Sequence, residues 1–487
     1  MERGGQWQEE MDISFQFIVG TPEREVLDIQ EIWPVSYPNY TDIISEKVFP
    51  PRKIPLLDSG KYFEVTTSIT GHGQEGEFIP RNHFFKVGAS KQFQWQVWTA
   101  CGENPVYPQG GTWIYDRAGW CPGMSTDIEE SDITPFVTAG QSATLDYGVY
   151  TASGDSRYIA NHQLVSYGAA NFTTDAAITD IVTPSSKVEY SKSSVTCGEP
   201  TIVIQNTGAN ALTSATIEYW VNSAATKQTY TWTGNLAFME KETVVLPVSA
   251  ALWTDIAGTS NTFYAEISAP NAATDEYNYN NTMTTDFEIP DVLPATFAIR
   301  FGTNSQGNES RYFIYDDIGN TVFSRQGLAN NTEYRDTFSL PMGCYSLVIQ
   351  DSDDDGIDFW ANNDGSGSFR IYRTDIPVPI KTIEPDFGGS FTYNFTVEFP
   401  LPTTTAPQTA EVKVFPNPTD GQVKIKFDKT IEKGSLTLFD ELGKMILDQK
   451  IDRLNAIDLN ITECASGLYY VLVQSEDKRS IVKLIKK

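Results

Sequence analysis

The stretch "QFQWQV", residues 92–97, places Phe93, Trp95 and Val97 on one side of an extended chain and Gln92, Gln94 and Gln96 on the other. Side chains of a strand alternate between its two faces, so this stretch offers one apolar face to a core and one amide face to water. The same period of two recurs at Ala143, Leu145, Tyr147 and Val149, and again at Phe263, Ala265 and Ile267. Helical spacing is hard to find, and Gly, Pro, Asn and Asp interrupt the chain at short intervals, as the turns of sandwiches require. The expected fold class is all-β, built as tandem β-sandwiches.

A chain of 487 residues is long enough for three or four domains, each burying its own core. Its 35 basic residues face 63 acidic ones, a formal charge of −28. Such a surface repels phosphate backbones and anionic lipid, which argues against nucleic-acid and membrane-surface roles. Aromatic residues make up 12% of the chain, set among Ser, Thr, Asn and Gly, the composition of an extracellular β-protein. No apolar run approaches the roughly eighteen residues of a membrane span. The opening "MERGGQWQEEMDISFQF" lacks a charged-then-apolar export signal, so the natural N-terminus is expected to lie upstream of Met1.

Five cysteines do not make a disulfide scaffold in so long a chain. Cys101 and Cys121 are near enough in sequence to bracket one loop, either as a bridge contributing about 3 kcal/mol by loop entropy or as two buried thiols. Cys197, Cys344 and Cys464 lie far apart, and the sequence leaves open whether they are paired or buried free thiols.

Composition divides the chain into blocks. The first, 1–170, ends on "YIANHQLVSYGAANF". The second, 173–291, contains "EPTIVIQNTGANALTSATIEYWVN" and closes on "DEYNYNNTMTTDFEIP", in the manner of an Ig-like sandwich. A third β-sandwich, 295–400, precedes "LPTTTAPQTA" at 401–410, a stiff Pro/Thr linker. The last block, 411–487, holds 13 basic and 12 acidic residues against 22 and 51 in the rest, so the body carries nearly all the negative charge.

The last block resembles the C-terminal sorting domain of the type IX secretion system through "VKVFPNPTDGQVKIKF", "LTLFDELGKMI" and "ASGLYYVLVQSEDKRSIVKLIKK". The landmarks are Pro416-Asn417-Pro418, Asp420-Gly421, Gly443-Lys444 and Gly467-Leu468-Tyr469. That resemblance implies a small β-sandwich, the type IX machinery as partner, and export across the outer membrane of a Bacteroidetes-type bacterium.

Residues from about Ile13 to Gly168 resemble the second domain of the peptide-N-glycosidase F family, through "FIVGTPEREV", "TTSITGHG", "EFIPRNH", "TACGENP", "WIYDRAGWCPGM" and "YIANHQLVSYG". The resemblance implies a jelly roll, one of two packed side by side, with the active site between them and the principal catalytic aspartate in the other. It implies a Cys101–Cys121 disulfide. It makes Glu77, in "QEGEFIPRNH", the second catalytic carboxylate and Arg117 an active-site arginine. His72, where the family carries a tryptophan, would contact sugar; Trp113, Tyr115 and Trp120 offer further faces for sugar, Trp113 and Trp120 being the candidate contacts, although core packing is the expected role for at least two of the three. Glu75 and Ile79 replace two family cysteines, a change expected to loosen the Glu77 loop. With that other domain present, the expected reaction is hydrolysis of the glycosylated asparagine amide by water, with N-glycoproteins as substrates and no cofactor for catalysis; the chain as given is expected to show little or no amidase activity. The alternative is a non-catalytic surface module that binds glycans or glycoproteins. Related jelly-roll pairs occur in copper monooxygenases, but His72, His83 and His162 are widely spaced with no His-x-His pair, so copper is not expected.

In the third block, "CYSLVIQDSDDDGIDFWANNDGSG" sets Asp351, Asp353 and Asp355 before Gly356. Alternate carboxylates with a glycine for the bend suit a hard cation, so these three are candidate ligands of a structural calcium ion.

Overall fold

The computed structural model describes Phe15 and residues 20–487, apart from 90, 107–108, 110, 195, 197, 249–251, 254–255, 257–259, 375–376, 398–411, 441–444 and 476–477. The 401–410 linker, Cys197 and the Gly443-Lys444 turn therefore lie outside the described residues.

The first unit has eight strands: β1 (Arg24–Ser36), β2 (Arg52–Pro55), β3 (Tyr62–His72), β4 (Arg81–Val87), β5 (Lys91–Val97), β6 (Ile128–Asp132), β7 (Ser142–Val149) and β8 (Arg157–Ala170). They form two four-stranded sheets in the orders β1-β8-β3-β6 and β2-β7-β4-β5. That interleaving is the jelly-roll order, and it leaves β1 and β6 at the edges of one sheet and β2 and β5 at the edges of the other. The alternation in the sequence reappears in the burial: Ala143, Leu145, Tyr147 and Val149 on β7 all face the core.

His83 on β4 and His162 on β8 enter that core from opposite sheets, each 0% exposed. One ring nitrogen of each is paired, His83 Nδ1 with the Tyr147 hydroxyl at 2.8 Å and His162 Nδ1 with Thr67 Oγ1 at 3.0 Å. Burial lowers both imidazoles to about 3, with His83 adding to the effect on His162.

Seven strands between Ala176 and Glu288 form sheets of three and four around Trp232, Tyr219, Phe263 and Phe287. Nine more, from Asp291 to Val397, make sheets of five and four. In the last unit the expected sandwich is one continuous five-stranded sheet. Its long strand Gln422–Asp440 pairs with Val412–Phe415 along its first part and with Gly467–Ser475 along its last. Both parts thereby contribute to one core, from Val423 to Leu438 and Val471.

Cys101 and Cys121 are joined. Cys344, whose pairing the sequence left open, is disulfide-bonded, and its strand packs against the second unit's core. Cys464 is free.

The two core histidines are neutral when folded and take up protons on unfolding. Their contribution is therefore full above the unfolded pKa near 6.5 and is lost as pH falls towards 3, at up to about 1.4 kcal/mol per pH unit for each ring. The native C2–H resonances of His83 and His162 should stay constant from pH 7 to pH 5. A midpoint near 6.5 for either would show that its ring is solvated.

Candidate functional site

β3 ends at His72, and the chain crosses to β4 through a single helical turn, Gln74–Phe78, that carries Glu77. The connection from β5 to β6 carries Arg117. The two segments interlock through backbone bonds: Ala118 N donates to Glu77 O at 3.0 Å and Gly71 N to Ala118 O at 2.8 Å. Thr99 and Arg117 exchange bonds of 2.7 and 3.1 Å. The fit requires glycine at 71, where a Cβ would lie 2.0 Å from Gly76 O and 2.5 Å from the Ala118 Cβ.

Arg117 is 5% exposed. Its Nε donates to Glu77 Oε1 at 3.0 Å, its Nη1 to the carbonyls of Tyr115 at 2.6 Å and Trp113 at 3.4 Å, and its Nη2 to that of Thr112 at 2.8 Å. Its plane lies 5.3 Å from the rings of both Phe78 and Trp120. Most of the fork is thus occupied by this chain's own acceptors. Glu77 Oε2 has no hydrogen-bond partner among the described residues, and the side chain is 21% exposed.

An aromatic row continues from this pair. Trp120, anchored by Nε1 to Gly71 O at 3.2 Å, stacks on His72 at 6.0 Å, and His72 meets the edge of Tyr37 at 5.5 Å. Tyr37 is 50% exposed. Sequence reasoning missed Tyr37 and Phe78. Phe78 stands beside Glu77 in the quoted motif, whereas nothing near Tyr37 marked it. Glu75 bonds Ser153 and lies 3.7 Å from Arg81, which also donates to Ser153 at 3.1 Å, so a polar tie holds the segment that was expected to be loose.

Two expected site residues are corrected. Trp113 is 1% exposed, sealed with Ile114 against Phe359 of the third unit, and has no free face for a sugar. Asp353 is exposed and only its backbone N–H joins the cluster, donating to Asp351 Oδ1 at 3.2 Å. The run 353–356 turns, with Asp354 at φ 63° and Gly356 at φ 73°, so alternate residues do not share one side. Glu309 takes the place instead. Carboxylate oxygens of Glu309, Asp351 and Asp355 lie within 4.8 Å of one another, a set that could hold a metal ion. Burial, then the charge of Asp355, pushes Asp351 up to about 7, and burial lifts Asp355 to about 6.

The acidic loop packs on the Arg117 loop. Trp360 Nε1 donates to Gly111 O at 3.2 Å, and Gly389 N to Gly102 O at 2.8 Å. Lys192 Nζ donates to Gly102 O at 2.8 Å and to Phe387 O at 2.9 Å. Burial lowers that ammonium to about 8, against the opposing charges of Glu103 and Asp354.

Residues 39–167 match the family model described as "Peptide-N-glycosidase F, C terminal", and residues 413–487 the one described as "Secretion system C-terminal sorting domain". A curated relative, peptide-N(4)-(N-acetyl-beta-D-glucosaminyl)asparagine amidase F of Elizabethkingia miricola, is 35% identical over 83 residues, 15% of this chain and 23% of the relative. The structure of PNGase F, a glycosylasparaginase from Flavobacterium meningosepticum, is 21% identical, with 31% of this chain and 55% of that chain covered and a TM-score of 0.25. A crystal structure of a peptide-N(4)-(N-acetyl-beta-D-glucosaminyl)asparagine amidase is 23% identical with the same coverage and a TM-score of 0.27. The chain thus spans 23% of the curated relative and 55% of each of these solved chains. The sorting domain marks the chain for type IX secretion to the cell surface or exterior of a Bacteroidetes bacterium. No helix among the described residues is long and apolar enough to cross a membrane.

Because Arg117 is caged by carbonyls of residues that the third unit covers, Phe359→Ala should be felt in the first unit. The truncation should cost about 3–5 kcal/mol of local packing. It should also speed amide exchange across residues 111–117 while leaving β7 protected. Unchanged exchange at 111–117 would show that the third unit does not support this loop.

Proposed function

We propose that the first unit forms one wall of a site acting on N-glycosylated proteins, in a secreted peptide-N-glycosidase-like protein. The observation that carries this reading is Glu77: one oxygen is fixed by a buried guanidinium, the other is free, and an aromatic row runs alongside. Sugar rings present apolar faces that stack on such rings, so Trp120, His72 and Tyr37 would take the glycan and leave its asparagine linkage near Glu77. There a carboxylate held in place by Arg117 orients water or accepts its proton. Water oxygen adds to the amide carbon, the C–N bond breaks, and the products are aspartate and a glycosylamine. Arg117 works mainly through Glu77, since most of its donors are already engaged. The matched residues cover only the C-terminal part of the family's fold, so catalysis is proposed for this wall facing the family's first domain. Binding without hydrolysis is the second reading, favoured by the exposed face of Tyr37.

One experiment separates them. A chitobiosyl-asparagine peptide is titrated into the chain, and glycan release is followed with the chain alone and joined to the family's first domain. Trp120→Ala should weaken binding at least tenfold, as loss of a stacking aromatic does. Glu77→Gln should leave binding near wild type and lower kcat about a hundredfold. Full turnover in Glu77→Gln would remove the proton role, and binding without any release leaves the module reading.

We also propose calcium as the ion for Glu309, Asp351 and Asp355, whose hard oxygen donors suit it. Calcium at about 100 times its Kd should stabilise the fold by about 2.7 kcal/mol. The shift in Tm should vanish in Asp355→Asn and persist in Asp353→Ala. No shift in the wild type up to millimolar calcium would end the proposal.

A further inference from the structure

The edge strands β5 and β6 face each other across an open side of the jelly roll, and between them lies a groove of about 340 Å³. Trp95 and Trp98 line it with Ile69, Gly119, Asp127 and Glu129. Gly119 belongs to the same loop as Arg117 and Trp120, so the groove borders the glycan-facing wall without sharing its side chains.

Glu129 is the group that calls for a partner. It is partly buried between the exposed Ile128 and Glu130, so its carboxylate turns inward where those of an edge strand usually meet water. It makes no hydrogen bond or ion pair among the described residues. Burial, then the Glu130 charge, raises its pKa, the mark of a carboxylate without a compensating cation. Asp127 is bonded by the Thr99 hydroxyl at 2.5 Å and has no cation either among the described residues. The one basic residue on β5, Lys91, lies over the rings of Phe93 and Phe136, at 4.9 and 5.7 Å.

We propose that this groove binds a basic side chain, arginine or lysine, of an extended polypeptide. A cation between indole rings and two carboxylates gains both ion pairing and cation–π attraction. The second observation is topological: among the described residues β5 pairs only with β4 and β6 only with β3, so both strands that line the groove keep an unpaired edge. Such edges accept an added strand, which fixes the occupant as polypeptide rather than a free amine. The inference does not depend on amidase activity.

The test uses acetyl-Gly-Arg-Gly-amide and its neutral isostere with citrulline in place of arginine, titrated by calorimetry into the full chain. The arginine peptide should bind at least tenfold more tightly than the citrulline one, and should slow amide exchange along residues 91–97 and 128–132. Glu129→Gln, with Tm checked against wild type, should bring the two peptides within twofold. Should that variant fold poorly, Asp127→Asn should narrow the ratio in the same direction. Equal affinities in the wild type, an undiminished ratio in a folded Glu129→Gln, or protection confined to residues outside the two edge strands would each overturn the proposal. So would a groove that takes chito-oligosaccharide in a Glu129-dependent way while ignoring the arginine peptide.

Discussion

A guanidinium can leave water only where nearly all of its N–H groups find acceptors, and the placement of Arg117 satisfies that condition with parts of the chain that would otherwise be independent. Its acceptors are a side chain from the β3–β4 turn and three carbonyls from its own loop. Folding that loop and fixing Glu77 are consequently one event. Buried ion pairs contribute little net stability against hydrophobic replacements, yet removing one partner leaves a buried charge and costs about 3–5 kcal/mol. The pair is best understood as a device that fixes geometry. It sets one oxygen of Glu77 and leaves the other without a hydrogen-bond partner among the described residues.

The cage around Arg117 has its own support. Carbonyls accept well only if their loop is still, and this loop is held from three directions. The Cys101–Cys121 bond closes its base. Phe359 seals Trp113 and Ile114 from the third unit. Lys192, in the connection between the second unit's first two strands, joins Gly102 to Phe387. Units that carry no match to the peptide-N-glycosidase model therefore shape the wall that does. The acidic set of Glu309, Asp351 and Asp355 lies at the root of the same loop that carries Phe359.

The jelly roll also shows how one sequence pattern serves two ends. Alternation on β7 and β8 fills the core, and it carries His162 in with the apolar residues while His83 comes from β4. Both are tolerated because each has a hydroxyl partner and remains neutral. On β6 the same alternation turns Glu129 inward at an edge, where it meets no hydrogen-bond or ion-pair partner among the described residues. A buried imidazole can stay uncharged near neutrality, whereas a carboxylate resists doing so.

Much was legible from the sequence alone. Strand periodicity gave the all-β class, since side-chain alternation is local and independent of what lies across the core. The quoted motifs marked the jelly roll and the sorting tail, and the short separation of Cys101 and Cys121 allowed their bond. Glu77 and Arg117 were singled out forty residues apart, and the structure brings them to 3.0 Å. Other features belonged to the tertiary structure. Trp113 looked like a sugar platform until Phe359 covered it, Glu309 displaced Asp353 because the acidic run turns, and Cys344 found a partner that sequence spacing hid. The groove at Glu129 exists only because two edge strands end up opposite one another. Each of these depends on contacts between residues far apart in the chain, and local pattern carries no information about which distant surface will arrive to bury, pair with or leave open a given side chain.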